Sequence, residues 1–296
     1  MNQGFDALHR DDAGDWWMST NGKPGSNGRA VRLPEADLMD LDAVPAMHMA
    51  APPQHLLALT EEDSVGAENF RSLAIRLRNF QKRRQLKKLL VTSSIKGEGK
   101  SVISANLAIT LARRERTLLI DGDMHQAGLR EVLGSQAQAG LADWWRHPEP
   151  ITNFLTRLDG RSLWYLSAGE VVEDPLEILQ SPRLVEMLNQ VAGRFDWIII
   201  DSPPLVPVPD SGLWAAQVDG TLLVVRHGTT PKSLLTKALE TENLKLLGIV
   251  TNEWQDIHQQ YYGRYYGYSR KTSVAAPAAT PLSERKSLKV PNSASK

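Results

Sequence analysis

A strand-like run, Leu89-Leu90-Val91-Thr92-Ser93, leads directly into Ser94-Ile95-Lys96-Gly97-Glu98-Gly99-Lys100-Ser101, and the helix-forming stretch VISANLAITLA follows at once. No other feature constrains the chain as tightly. A cradle for phosphate needs backbone N–H groups converging on the anion and glycines that let the chain curl around it. It also needs a helix N-terminus behind the phosphates, a lysine for the outer ones and a hydroxyl for magnesium. Gly97, Gly99, Lys100 and Ser101 supply these parts in order, with Ser94 standing where the general pattern has its first glycine. The strand-loop-helix context is the one a P-loop requires, so Gly97, Glu98, Gly99, Lys100, Ser101 and Val102 are expected to touch a nucleotide.

The rest of the chain supplies a sheet for that loop. Leu118-Leu119-Ile120, Leu163-Trp164-Tyr165-Leu166, Trp197-Ile198-Ile199-Ile200, Leu222-Leu223-Val224-Val225 and Leu246-Leu247-Gly248-Ile249-Val250 read as buried strands. Helix-like segments lie near 100–113, 183–193, 209–217 and 231–243. Continuous apolar strands alternating with helices predict a doubly wound α/β fold with a mostly parallel sheet covered on both faces. A further helix carries Phe70, Leu73, Ile75, Leu77 and Phe80, with Glu68 near its start, where the dipole favours an acid.

Residues 1–60, rich in Asp, Gly, Pro, Ala and Met without a sustained period, are expected to form a disordered arm. Trp16-Trp17 within it read as a stray aromatic pair. The catalytic domain is placed at 61–256, a tyrosine cluster at 257–269 and a disordered basic tail at 270–296. Lys82-Arg83-Arg84-Gln85-Leu86-Lys87-Lys88 reads as a solvated connector, and Trp144-Trp145 as buried aromatics. The chain has no cysteine, which excludes disulfides, thiolate zinc sites and thiol catalysis. Its 34 basic residues balance 34 acidic ones, so global charge points to no specific nucleic-acid partner. A polar N-terminus and the lack of an apolar run of about 18 to 20 residues lead to an expectation of a soluble, cytoplasmic protein.

Two of the strands end in acids. Leu118-Leu119-Ile120 delivers Asp121 and Asp123, and Trp197-Ile198-Ile199-Ile200 delivers Asp201. In a parallel sheet the carboxyl ends of strands share one edge, where the P-loop also opens. Any one acid in such a position could be a helix cap, but three beside a P-loop suit magnesium ligation and activation of a nucleophile.

At these residues the chain resembles the bacterial tyrosine autokinases of exopolysaccharide and capsule systems, from the same P-loop branch as the cell-division and partition ATPases. The pieces that carry the resemblance are VTSSIKGEGKS, LLIDGDM, EDPLEILQSPRL, WIIIDSPP, DGTLLVVRHG and YYGRYYGY, spread over roughly residues 64–268. Partition ATPases usually carry a signature lysine five residues before the P-loop lysine; Ile95 stands there, which favours the kinase branch. The resemblance implies ATP and Mg2+ as cofactors. Lys100 would neutralise the outer phosphates, Ser101 would bind the metal and Asp201 would hold the metal or its water. Asp121 would orient or deprotonate a tyrosine hydroxyl, and Asp123 would support Lys100 and the metal. Arg226 and Asn252, at the ends of the last two strands, are candidate nucleobase contacts, with ordinary loop capping the alternative.

Five of the six tyrosines, Tyr261, Tyr262, Tyr265, Tyr266 and Tyr268, form a glycine-spaced cluster that reads as phosphoacceptors rather than a packed element. The resemblance further implies the stand-alone cytoplasmic form, recruited to the inner face of the membrane. Its expected partners are a membrane polysaccharide co-polymerase or chain-length activator, a protein-tyrosine phosphatase and further copies of itself. Two departures bear on this. The second acidic motif continues Met124-His125-Gln126-Ala127 instead of into an apolar residue, a basic residue and proline; His125 is read as a surface polar residue. The family's oligomer helix has Glu and two Arg at three-residue spacing; Glu68 and Arg71 fit, but Ala74 stands third. An ATP-hydrolysing positioning switch, or an ATP-binding regulator whose catalysis has decayed, are the rival readings.

Overall fold

The computed structural model describes residues 7–10, 16–19, 40–48, 53–126, 128–137, 139–170, 172, 174–207 and 209–253. In chain order, β1 (Ala7–Arg10) pairs antiparallel with β2 (Trp16–Ser19), and β3 (Ala46–Met47), α1 (Leu57–Thr60) and α2 (Val65–Gln81) follow. The β4 strand (Lys88–Ser93) delivers the phosphate loop to α3 (Lys100–Leu111). Next come β5 (Thr117–Asp121), α4 (Gly128–Leu133), α5 (Leu141–Arg146), β6 (Leu155–Leu158) and β7 (Leu163–Leu166). The chain continues through α6 (Pro175–Leu179), α7 (Pro182–Ala192), β8 (Trp197–Asp201), α8 (Asp210–Gln217), β9 (Gly220–Arg226), α9 (Lys232–Leu239) and β10 (Leu246–Asn252). Eight strands form one sheet in the order β10-β9-β4-β8-β5-β7-β6-β3. Only the β6–β7 pair is antiparallel.

The central strands β4, β5 and β8 are buried on both faces because apolar side chains fill most of their positions, whereas β10, expected to be buried, lies at the sheet edge with Leu246 and Ile249 exposed. Leu90, Leu118, Ile120, Ile198 and Ile200 belong to one core, and Leu89, Val91, Leu119, Trp197 and Ile199 to the other. The alternation follows from the two-residue period of a strand, which sends neighbours to opposite faces. Helices cover both sides through caps written in the sequence. Ser64 caps α2 by accepting from Ala67 N at 3.1 Å, and Ser181 caps α7 ahead of Pro182 at its first position.

The predicted strands and helices fall where expected, with some corrections. On α2 the buried stripe is Ala67, Phe70, Ala74 and Leu77, whereas Ile75 is 54% exposed. Ile75 lies out of phase with the i, i+3, i+4, i+7 face, and Ala74 packs in its stead. Part of the arm assigned to residues 1–60 is built into the domain. Leu41 and Val44 are buried in the core, β3 extends the sheet, and Leu56 is fully covered beside α1. Trp16-Trp17 lie on β2. The basic connector at 82–88 is mostly exposed, and Trp144 is buried, with the Arg183 guanidinium over its ring at 4.5 Å. Ala127, the tyrosine cluster and the basic tail lie outside the described residues.

Candidate active site

The loop between β4 and α3 turns on two glycines in the left-handed region, Gly97 at φ +87° and Gly99 at φ +89°, where a side chain is strained. Glu98 between them points inward and is only 2% exposed. Its carboxylate accepts from the Ile95 N–H at 2.9 Å and from the Thr230 hydroxyl, so it staples the loop to the turn after β9. The Asn252 side-chain amide donates to the Glu98 carbonyl at 3.0 Å, and a Cβ on Gly99 would land on that amide. Arg226 is held by Glu253 at 2.7 Å. Glu98, Arg226 and Asn252, all assigned to the nucleotide from sequence, thus have partners within the protein, while Val102 is half-buried on α3. Lys100 opens α3, whose first N–H groups have no helical acceptors and are free to face an anion.

Strands β5 and β8 are neighbours in the sheet, with Asp121 directly opposite Asp201. Both carboxylates have no exposed surface. The Ser101 hydroxyl donates to Asp201 Oδ2 at 2.6 Å and the Ser104 hydroxyl to Oδ1 at 3.0 Å. Lys100 Nζ donates to Asp123 Oδ2 at 3.0 Å, and the Gln126 N–H donates to Asp123 Oδ1 at 3.0 Å. Asp121 Oδ1 accepts from the Asp123 N–H at 3.4 Å, whereas Asp121 Oδ2 is buried without a partner. The sheet therefore brings Lys100, Ser101, Asp121, Asp123 and Asp201 together; Ser104 joins them although no motif marks it.

Burial dominates the electrostatics. It pushes Asp121 well above the usual carboxylate range, and the charges of Asp201 and Asp123 push it further. Burial also raises Asp201 to about 6, against the opposing pull of Lys100 and the two serine hydroxyls. Burial works to lower Lys100, but Asp201 and Asp123 outweigh it and hold the ammonium above its ordinary value. Three carboxylates packed around one ammonium leave negative charge uncompensated, and an orphaned carboxylate oxygen lies among them. A divalent cation with a phosphate group fits that imbalance. Among the described residues no three carboxylate or imidazole groups form a cage. Magnesium is usually held by one or two side chains, water and phosphate oxygens, and Ser101 with Asp201 could supply such ligands.

Beside Lys100 opens a cavity of about 700 Å3, lined by Ile95, Pro203, Pro204, Val206 and Pro207 together with Asp123 and His125. His125, read from sequence as a surface polar residue, is half-exposed but bonded through Nε2 to Asp210 Oδ2 at 2.9 Å. Asp210 opens α8 and its side chain is 3% exposed; Trp214 on the same helix donates to the Gly122 carbonyl at 3.1 Å. Helix α8 thus grips the turn that carries Asp123. The pairing spans 85 residues, and only the acid at a helix start hinted at it in the sequence.

The chain is similar to several known proteins. The family profile described as ParA, NUBPL iron-transfer P-loop NTPase matches residues 85–270. Tyrosine-protein kinase YwqD of Bacillus subtilis is 29% identical over 218 residues, 72% of this chain and 92% of that protein. Tyrosine-protein kinase CpsD of Streptococcus pneumoniae is 33% identical over 184 residues, 60% of this chain and 81% of that protein. The putative tyrosine-protein kinase EpsB of Ralstonia nicotianae is 31% identical over 76% of this chain, which spans only 32% of EpsB. The BceF tyrosine kinase domain superposes with a TM-score of 0.60 at 28% identity, over 66% of this chain and 81% of that one. The chimerical protein CapA2B2 shares the fold at a TM-score of 0.65 and 24% identity, over 72% of this chain and 96% of that one.

Proposed function

We propose, for a chain that belongs to the bacterial protein-tyrosine kinases within the ParA-like P-loop NTPases, that the tyrosines it modifies are its own. It is a protein-tyrosine kinase of the kind found in capsule and exopolysaccharide biosynthesis. Without cysteine it has no thiolates for the iron transfer named in the wider family's description. The observation that carries the reading is the convergence of Lys100, Ser101, Asp121, Asp123 and Asp201 at one sheet edge, beside a cavity walled by proline and aliphatic side chains. Such walls suit the ring of an incoming tyrosine.

ATP with magnesium supplies the transferable phosphoryl group and the cation that offsets its charge. Lys100, supported by Asp123, would neutralise the outer phosphates. Ser101 and Asp201, already bonded to each other, would hold the metal or its water. The partnerless oxygen of Asp121 would orient the tyrosine hydroxyl or take its proton. Asp123 stays beside Lys100 and the metal. Gly97, Gly99 and the start of α3 around Val102 shape the cradle, Glu98 braces it, and Arg226 and Asn252 border it. Catalysis is then positioning and charge neutralisation, with no covalent intermediate on the enzyme.

The acceptors are Tyr261, Tyr262, Tyr265, Tyr266 and Tyr268, in the sequence that follows β10. A membrane polysaccharide co-polymerase recruits the kinase to the inner face of the membrane, and a protein-tyrosine phosphatase resets it. EpsB, more than twice as long as the region matched, supports a link between kinase and further sequence in this class. Mass spectrometry of phosphatase-treated protein, before and after incubation with ATP and magnesium, tests the reading. New phosphate on the five tyrosines supports it. Nucleotide turnover with no labelled tyrosine would make the chain a hydrolysing switch.

A further inference from the structure

At the amino edge of the sheet, opposite the catalytic residues, lies a second cavity of about 560 Å3 lined by Glu62, Ala112, Arg113, Arg157, Gly160, Arg161 and Ser162. Three guanidinium groups share it with one carboxylate. Glu62 Oε1 alone serves two of them, Arg113 at 2.8 Å and Arg161 at 3.2 Å. Arg71 holds the Glu62 backbone carbonyl at 2.7 Å, fixing that carboxylate's base. Arg157 is left over: its Nε is buried without a partner, and its nearest acid is Asp42, 3.7 Å from Nη1 and 95% exposed. Asp159, in the turn below, is taken up with His48 at 3.3 Å.

Grouping three like charges around one carboxylate is costly unless another anion joins them, and a buried guanidinium N–H without an acceptor adds to the cost. A planar carboxylate cannot face three forks arriving from different directions. A tetrahedral phosphate dianion has enough acceptor oxygens, each able to take a guanidinium edge. The cavity is also larger than phosphate alone. We infer that the Arg113–Arg157–Arg161 pocket binds a phosphate dianion, free or as a monoester, which takes the place of the Glu62 carboxylate. Its position on the far edge of the sheet keeps it apart from the P-loop, so occupation there is a signal separate from catalysis.

The test uses the full chain with ADP and magnesium saturating the P-loop, titrated calorimetrically with inorganic phosphate and with phenyl phosphate. Wild-type protein should bind with the P-loop filled. Arg161→Gln and Arg113→Gln should each weaken binding about tenfold, the loss of one charge-assisted contact. Glu62→Gln should tighten it, because the internal competitor is gone. Circular dichroism of each variant separates lost binding from lost fold, and Arg113→Lys should recover part of the affinity. Equal affinity for both probes identifies free phosphate as the ligand; tighter phenyl phosphate identifies an aryl ester such as phosphotyrosine. Absence of binding at millimolar probe, or binding unchanged in both arginine variants or weakened in Glu62→Gln, overturns the pocket.

Discussion

At the scale of single residues, the site is held together by charges that suit a ligand better than they suit one another. Asp201 has its proton affinity raised to about 6, chiefly by burial. An acid raised above its unfolded value contributes most stability below the unfolded pKa and loses it as pH rises through the folded one. The stability gap between Asp201→Asn and wild type should therefore be small near pH 4 and widen in the variant's favour up to pH 6 and beyond, by on the order of 1 kcal/mol. Thermal melts of nucleotide-free protein across that range check it, and magnesium with ATP should stabilise wild type more than the variant. Lys100→Met removes the ammonium but leaves both apolar cores intact. It should lower tyrosine labelling at least about a hundredfold, the order seen when a transition-state charge contact is deleted. Labelling by the variant at the wild-type rate would move the active site elsewhere.

At the scale of elements, the phosphate loop is braced from outside itself. Glu98 ties it to the turn after β9, and Asn252 at the end of β10 ties it to the last strand. Glu98→Ala leaves the Ile95 N–H and the Thr230 hydroxyl without their acceptor, at a cost of about 1 to 3 kcal/mol. Urea unfolding should register that loss, and nucleotide affinity should fall with it; unaltered affinity would mean that the loop holds its shape unaided. The loop itself was legible in sequence because glycine, lysine and serine follow a strand at fixed offsets. Its brace was not, since Thr230 lies 132 residues from Glu98 and no local pattern links them. The central strands were legible as apolar runs. Strand β6 was missed because LTRL buries only its two leucines, and β3 because two residues carry no period. Leu41, Val44 and Leu56 sit in polar surroundings in the sequence and become core only where the sheet edge reaches them.

At the scale of the whole molecule, the question is how one copy meets another. Glu68 and Arg71, the two residues that match an oligomer helix, are bonded to each other at 2.6 Å, and Ala74 is fully buried. Arg78, one step away, is spent in a two-pronged bond to Glu115. With Glu68, Arg71 and Arg78 engaged within one copy and Ala74 buried, self-association through these residues should be weak, and transfer between copies should slow on dilution. Labelling per chain measured over a hundredfold dilution series should fall if transfer runs between molecules; a constant rate would assign it to a single chain. The sequence announced the chemistry of the site but not this economy at α2, because intramolecular pairing depends on which rotamers the packed helix allows. One arrangement carries further than stability. The Asn252 amide rests on the phosphate loop, and in the sequence the tyrosine cluster follows the strand that carries it. The last strand therefore ends in an anchor on that loop. A pull on the anchor that slid β10 by one residue would part the amide from Glu98 and uncover Gly99. Filling the cradle would, conversely, stiffen the anchor, so a fluorophore attached beyond Glu253 should report nucleotide by its anisotropy.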